Sequence, residues 1–157
     1  MQKVGQLDIQ LIGETEVLFT RHFKASAQHV FDAHTKPELV RRWLLGPPGC
    51  SMTACEIDLR VGGKWRFGWT HPEHGSFEMG GEFLEIDAPR KFRNSESNGE
   101  MTSMQVITFV EQGGGTLMSQ TNTFASTEAR EAALATGMAD GMEACFAALD
   151  GMFAEAK

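Results

Sequence analysis

A single change in hydrophobic periodicity, just after Phe124, constrains the fold of this chain more than any other feature. From Met52 to Phe124 apolar and polar residues alternate with a period of two, and glycine-containing turns interrupt the pattern. These turn signals are Gly62 with Gly63, the segment PEHG, Asn98 with Gly99, and the triplet Gly113–Gly115. Short turns between consecutive strands favour antiparallel pairing. The segment therefore predicts an antiparallel meander.

Beyond Phe124 the periodicity becomes that of a helix capped by Ser126. Its apolar stripe consists of Leu134, Met138, Met142, Cys145, Leu149 and Met152. One helix from Thr127 to about Ala154 would be roughly 40 Å long, enough to cross a sheet. Gly137 and Gly141 within it indicate a close approach to the sheet, space for a ligand, or a kink. We expect an α+β fold in which a curved sheet of about six or seven strands surrounds this helix and encloses an apolar pocket.

Before the meander, the segment from Thr15 to Phe23 alternates as a strand with one buried face. A short helix should follow in SAQHVFDAH, capped by Ser26. Thr35 is the predicted cap of a second short helix, which has Pro37 in its first turn and ends near Trp43. The two prolines and two glycines of GPPGC then require a loop.

The length, 157 residues, suits one domain. We assign residues 15–157 to it and residues 1–14 to an N-terminal extension or edge strand. The net charge of -7 argues against a nucleic-acid partner. Neither a membrane-spanning stretch nor a targeting signal is evident, so the expected location is the cytoplasm. The cysteines Cys50, Cys55 and Cys145 form no CxxC pair and are predicted to be free thiols.

Three segments of the chain together resemble one family. The first is FKASAQHVFDAHTKPELVRRW with the preceding Arg21, the second EIDLRVGGKWRF at 56–67, and the third GGEFLEIDAPRKF at 80–92. The first segment matches the family pattern at Arg21, Phe23, Ala25, Val30, Phe31, Ala33, Thr35, Pro37, Leu39 and Trp43. This ordered set, between about residues 15 and 124, resembles the activator-of-heat-shock-ninety-ATPase-like branch of the START-like superfamily.

The resemblance implies the helix-grip fold: a strand, two short helices, a run of antiparallel strands, and a long helix gripped by the sheet. The periodicity of the chain gives the same order of elements. Departures from the family pattern fall where a ligand would lie. Ala27 and His34 replace the usual proline and tryptophan of the first segment, and Met138 replaces a tryptophan common in the last helix.

Nine residues are candidates for the lining of the pocket: Arg21, His34, Trp43, Trp65, Trp69, Phe83, Phe109, Met138 and Met142. His34 shares a helix face with Val30 and Phe31, so it is either a polar group of the pocket or a neutral imidazole bonded to a backbone carbonyl. Trp65 and Trp69 share a strand face, where they either pack in the core or orient a ligand through their indole N–H groups.

No metal site and no cofactor is predicted. The histidines of HPEH, His71 and His74, have two nearby glutamates, but a two-histidine turn lacks the rigid ligands that zinc requires. Glu56 and Asp58 could divide acid and base roles, or form ion pairs with Arg60, Arg66 or Lys64 on the outer sheet face. The chain contains no standard catalytic motif, so catalytic residues stay unassigned.

Three functions compete. The first is a module that binds a small apolar or amphipathic ligand in the cavity, as many START-like relatives do. The second is a protein-interaction module, since the family's eukaryotic namesake acts on a chaperone ATPase; the edge strands and the methionine-rich helix also suit a homodimer. The third is an enzyme, because other START-like branches include cyclases, aromatases and hydrolases, and a buried titratable group at His34 or Arg21 would favour it. The fold alone does not choose among them.

Overall fold

The computed structural model describes residues 2–99 and 101–155, in which nine strands and four helices are found. The strands are β1 (Gln2–Val4), β2 (Leu7–Ile12), β3 (Glu16–Phe23), β4 (Ser51–Ile57), β5 (Lys64–His71), β6 (Gly75–Asp87), β7 (Lys91–Ser97), β8 (Thr102–Gln112) and β9 (Gly115–Phe124). The helices are α1 (Ala27–Thr35), α2 (Pro37–Trp43), α3 (Thr127–Ala135) and α4 (Met138–Glu155).

All nine strands form one antiparallel sheet in the order β1-β2-β3-β9-β8-β7-β6-β5-β4. The sheet is curved and does not close, and the helices lie on its inner face, so the predicted helix-grip architecture is confirmed. The strand count exceeds the expected six or seven because β1 and β2 form an additional hairpin that pairs with β3. Leu7 and Ile9 of this hairpin are buried, and their burial stabilises it against the rest of the core.

The two short helices lie where the sequence predicts them. Ser26 caps α1 by accepting a hydrogen bond from the His29 amide at 3.2 Å. The predicted cap of α2 was wrong: Thr35 ends α1, and its hydroxyl donates to the Phe31 carbonyl at 2.9 Å. Lys36 takes the cap position without a side-chain bond, and Pro37 begins the helix.

The single C-terminal helix that the apolar stripe predicts is divided into two. Ser126 caps the first part as expected, accepting from the Ala129 amide at 3.0 Å. The chain then leaves helical geometry at Gly137, whose φ of +83° is readily adopted only by glycine. The expected alternatives included a close approach to the sheet and a kink. Apart from its chain neighbours, no heavy atom of the described residues lies within 4 Å of a Cβ built on Gly137, so there is no close approach, and the helix is interrupted outright, which separates α3 from α4.

The core lies between the inner sheet face and helices α1, α2 and α4. Phe146 of α4 is central to it, with its ring centroid 5.5 Å from that of Phe23 and 5.8 Å from that of Trp43. Phe31 of α1 packs on Phe109 of β8 at 5.7 Å. These edge-to-face and stacked contacts fill one end of the space beneath the helices with aromatic rings.

Candidate ligand-binding site

A row of three amides crosses the inner face of the sheet. Asn94 of β7 pairs with Gln105 of β8, and Gln105 pairs with Asn122 of β9. Their exposed fractions are 3%, 8% and 1%. Residues directly opposite on neighbouring strands have Cβ atoms about 5 Å apart, so Gln105 is adjacent to both asparagines, which are two strand spacings from each other. We call Asn94, Gln105 and Asn122 the polar row.

Hydrogen bonds satisfy only part of the polar row. The Asn94 amide donates to the Ser95 carbonyl at 3.0 Å, and the Gln105 amide donates to the Glu96 carboxylate at 2.6 Å. Asn122 Oδ1 accepts from Gln120 at 2.9 Å. Asn94 Oδ1 and Asn122 Nδ2 are buried and have no partner among the described residues. Buried polar atoms are rarely left in this state, since each unsatisfied group costs about 1–3 kcal/mol.

Glu96 adds a titratable group to the polar row. Burial raises the pKa of its carboxyl to about 7, and the bond from Gln105 offsets only part of this effect. The carboxyl is therefore partly protonated at neutral pH. Sequence periodicity placed Glu96 within a strand but did not identify it as a candidate.

His34 lies at the opposite, aromatic end of the interior. Its ring centroid is 4.9 Å from that of Trp43 and 5.3 Å from that of Phe109. Nδ1 lies 2.8 Å from the Val30 carbonyl, which can only accept, so Nδ1 carries the proton. This bond is the backbone contact that was one of the two alternatives for His34. Nε2 is buried and has no partner among the described residues.

The environment of His34 predicts a neutral imidazole throughout the physiological range. Burial lowers its pKa to about 4, and the bond to Val30 acts in the opposite direction without compensating. A ¹⁵N-detected NMR titration should show the Nδ1–H tautomer at neutral pH and half-protonation near pH 4. Because the unfolded chain takes up this proton at a higher pH than the fold does, His34 should reduce stability as the pH falls from about 6.5 to 4. A midpoint of about 6.5 would show that the ring is solvated.

Arg21, a candidate for the pocket lining, is engaged by α4. Its guanidinium donates to Glu143 Oε1 at 2.8 Å, to Glu143 Oε2 at 3.1 Å, and to Asp150 Oδ1 at 3.0 Å. Burial alone would lower the pKa of Arg21, but the bonds and charges of the two carboxylates outweigh it and raise the pKa. The arrangement anchors α4 to β3.

The three tryptophan candidates have their indole donors occupied by backbone carbonyls. Trp43 donates to Ala33 at 2.8 Å, Trp65 to Ser95 at 3.2 Å, and Trp69 to Leu44 at 3.1 Å. All three rings are buried, with exposed fractions of 6% or less. They therefore offer apolar ring surface to their surroundings, while their N–H groups hold local structure.

The remaining apolar candidates lie on both sides of the interior. Phe83 of β6 is paired with Asn94, so it borders the polar row directly. Phe109 belongs to the aromatic end. Met138 and Met142 pack against the core but are only half-buried, unlike Phe146, which follows them on the same face of α4. The N-terminal half of α4 thus covers the interior less completely than its second half.

The outer sheet face carries paired charges. Arg66 contacts Glu56 at 2.8 Å and Glu78 at 2.6 Å on this face, and Arg60 contacts Asp58 at 2.8 Å in the loop after β4. Glu56 and Asp58 are therefore ion-paired, the second of the two alternatives for these carboxylates. An open groove of about 740 Å³ lies beside the ion pairs of Arg66 and is lined by residues of β4, β5, β6 and β7. Its lining includes Trp65, Arg66, Glu78, Gly81, Ser95 and Ser97.

The turn HPEH is organised by its own backbone. His71 Nδ1 accepts the amide hydrogens of Glu73 at 3.0 Å and His74 at 3.2 Å, so this nitrogen acts as a turn cap. Within residues 2–99 and 101–155, no group of three or more potential metal ligands comes together. None of the helices in this part of the chain combines the length and apolar character needed to cross a membrane.

The sheet order, the two helices after β3 and the C-terminal helices define a START-like helix-grip domain. Residues 24–154 match the family described as activator of Hsp90 ATPase homolog 1-like protein, and the chain belongs to this family. The family resemblance in the sequence is therefore confirmed.

Solved structures have the same fold. A Rhodobacter sphaeroides protein is 30% identical, with a TM-score of 0.90 over 96% of this chain and 99% of its own. Protein Ms6760 from Mycobacterium smegmatis is 24% identical, with a TM-score of 0.82 over 92% of this chain and 94% of its own. An AHSA1-like protein from Aeromonas hydrophila is 20% identical, with a TM-score of 0.74 over 87% of this chain and 93% of its own. A comparison with curated protein sequences found no match.

Proposed function

We propose that the protein binds a small hydrophobic or amphipathic molecule between the inner sheet face and the C-terminal helices. The observation that carries this proposal is a set of buried polar atoms without a partner among the described residues: His34 Nε2, Asn94 Oδ1 and Asn122 Nδ2. A core serving only stability would gain from apolar residues at these positions, because unsatisfied polar groups destabilise it. These polar side chains would be retained if their free atoms form hydrogen bonds with a bound ligand.

The N-terminal half of α4, which lies over the interior, supports the same function. Met138 and Met142 are half-buried and belong to the part of α4 next to the interruption at Gly137. Methionine side chains are flexible and polarisable, so they adapt to ligands of different shape. A helix end that begins at a left-handed glycine is also attached less rigidly than the interior of a continuous helix. Access between the helices and the sheet is expected at this point.

The uncharged fluorophore N-phenyl-1-naphthylamine tests the proposal. Its emission should rise with saturation at one molecule per chain, because an apolar site excludes water from the probe. Met142→Trp, which enlarges a side chain facing the interior, should weaken this binding about tenfold, equivalent to roughly 1.4 kcal/mol. Native mass spectrometry of freshly purified protein, beside the denatured chain, would then identify a natural ligand by its added mass.

Val110→Trp provides the matched control, since Val110 is 54% exposed on β8 and the substitution adds the same side chain outside the interior. This variant should bind the probe as the wild type does. The proposal fails if the emission does not saturate, or if both tryptophan variants change the affinity equally.

A further inference from the structure

The polar row is bordered by apolar side chains at both of its ends across the sheet. On one side Asn94 is paired with Phe83, and on the other Asn122 is paired with Val17. Along the strands, the next inward positions are Phe92 and Glu96 on β7, Ile107 and Ser103 on β8, and Phe124 and Gln120 on β9, so each amide has one apolar and one polar neighbour. Three adjacent amides at this location form a defined polar position within the interior, at the end away from the aromatic cluster of His34.

The two unpartnered atoms of the polar row are one hydrogen-bond acceptor and one donor. Asn94 donates to the Ser95 carbonyl, so its free atom is the acceptor Oδ1. Asn122 accepts from Gln120, so its free atom is the donor Nδ2. Gln105, between them, has its amide directed to Glu96. A molecule that satisfies both free atoms must therefore offer one hydrogen-bond donor and one acceptor.

The surrounding charges disfavour an anion at the polar row. In the described part of the chain, the buried cationic side chains are Arg21 and Arg130. Arg21 is bonded to Glu143 and Asp150, and Arg130 to the carbonyls of Gly13 and Glu16. Neither arginine is therefore available to neutralise a negatively charged ligand. The nearest titratable partner, Glu96, is itself acidic, and a carboxylate beside it would be buried without a counter-charge.

From this arrangement we infer that the polar row recognises an uncharged head group with both a donor and an acceptor, such as a primary carboxamide or a lactam, carried on an apolar tail. This inference rests on the proposed ligand-binding function and specifies the class of ligand. The tail would extend beneath the half-buried methionines of α4. A partly protonated Glu96 is compatible with such a head group, because it adds no full negative charge at neutral pH.

Displacement of N-phenyl-1-naphthylamine by two compounds with the same tail tests the inference. At about pH 6, where octanoate is ionised and Glu96 still holds most of its proton, octanamide should displace the probe at a concentration at least about tenfold lower than octanoate. Asn94→Leu should reduce the affinity for octanamide about tenfold, since it removes the free acceptor, and leave that for octanoate unchanged, because a carboxylate has no hydrogen to donate. Asn122→Leu provides an independent variant that removes the free donor.

Thr121→Val is the matched control, because Thr121 is the preceding residue of β9 and points to the opposite sheet face. It should keep the wild-type preference. Equal displacement by octanamide and octanoate would overturn the inference while the proposed function stands. A preference for octanamide that survives in both leucine variants would also overturn it, because the selectivity would then arise elsewhere. Absence of probe binding to the wild type would reject the proposed function itself.

Discussion

Replacing Arg21 by methionine is expected to lower the free energy of unfolding by about 3 kcal/mol, the lower end of the range for breaking a buried ion pair. The Arg21 side chain is 1% exposed, and that of Glu143 is 16% exposed. Asp150 is more accessible at 38%, so water can solvate its carboxylate when Arg21 is removed. Methionine preserves most of the apolar volume, and the effect therefore arises from carboxylates left without a partner. Urea denaturation at neutral pH measures the change.

Two further variants separate the ion pair from the general effect of removing an arginine. Arg66→Met deletes an arginine whose ion pairs with Glu56 and Glu78 are solvent-exposed, and it should change stability little. In a Glu143→Gln background, Arg21→Met should lower the free energy of unfolding less than it does in the wild type. The carboxylate that would be left without a partner is already absent from that background. A comparable loss for Arg21→Met and Arg66→Met would contradict the anchoring role.

The anchoring role of Arg21 also connects two parts of the fold. Glu143 accepts a backbone hydrogen bond from Gln6, in the turn between β1 and β2, in addition to its bonds from Arg21. Burial would raise the pKa of Glu143, but these donors and the nearby positive charges lower it. One carboxylate thus joins α4 to β3 and to the N-terminal hairpin. Loss of Arg21 should therefore loosen the hairpin as well as the helix.

The order of elements could be predicted because its signals are local. Alternation, glycine turns and the caps at Ser26 and Ser126 each depend on a few consecutive residues. The interruption of the C-terminal helix could not be placed in the same way. Gly137 is compatible with the apolar stripe of one continuous helix, and only the tertiary structure decides that it adopts a left-handed conformation.

The candidate site was less predictable because its contacts are distant in sequence. Arg21 and Glu143 are 122 residues apart, so no spacing in the sequence indicates their pairing. The polar row was missed for a related reason. In SMQVITF of β8 and MSQTNTF of β9, polar residues occupy both strand faces, and the alternation does not show which face is inward. The register across β7, β8 and β9 brings Asn94, Gln105 and Asn122 together.

Glu96 should make the protein less stable as the pH rises from about 4.5 to 7. The folded state holds its proton up to about pH 7, whereas the unfolded chain releases it near 4.5. The folded state therefore binds more protons throughout this window, and its stability declines with increasing pH. The difference between the folded and unfolded pKa of Glu96 corresponds to about 3 kcal/mol of folding free energy, at roughly 1.4 kcal/mol for each pKa unit. The stability that the protonated carboxyl confers is fully present below about pH 4.5 and absent above about 7.

Glu96→Gln isolates this contribution, because glutamine keeps the shape of the side chain and can still accept the bond from Gln105. The difference in unfolding free energy between the variant and the wild type should increase by about 3 kcal/mol between pH 4.5 and 7, in favour of the variant, and then remain constant. Taking the difference removes the opposite acid effect of His34, which both proteins share. Glu82→Gln, at a half-buried glutamate ion-paired with Lys64, serves as the control. A difference for Glu96→Gln that does not change with pH would show that water reaches the carboxyl and that the polar row is not a desolvated site.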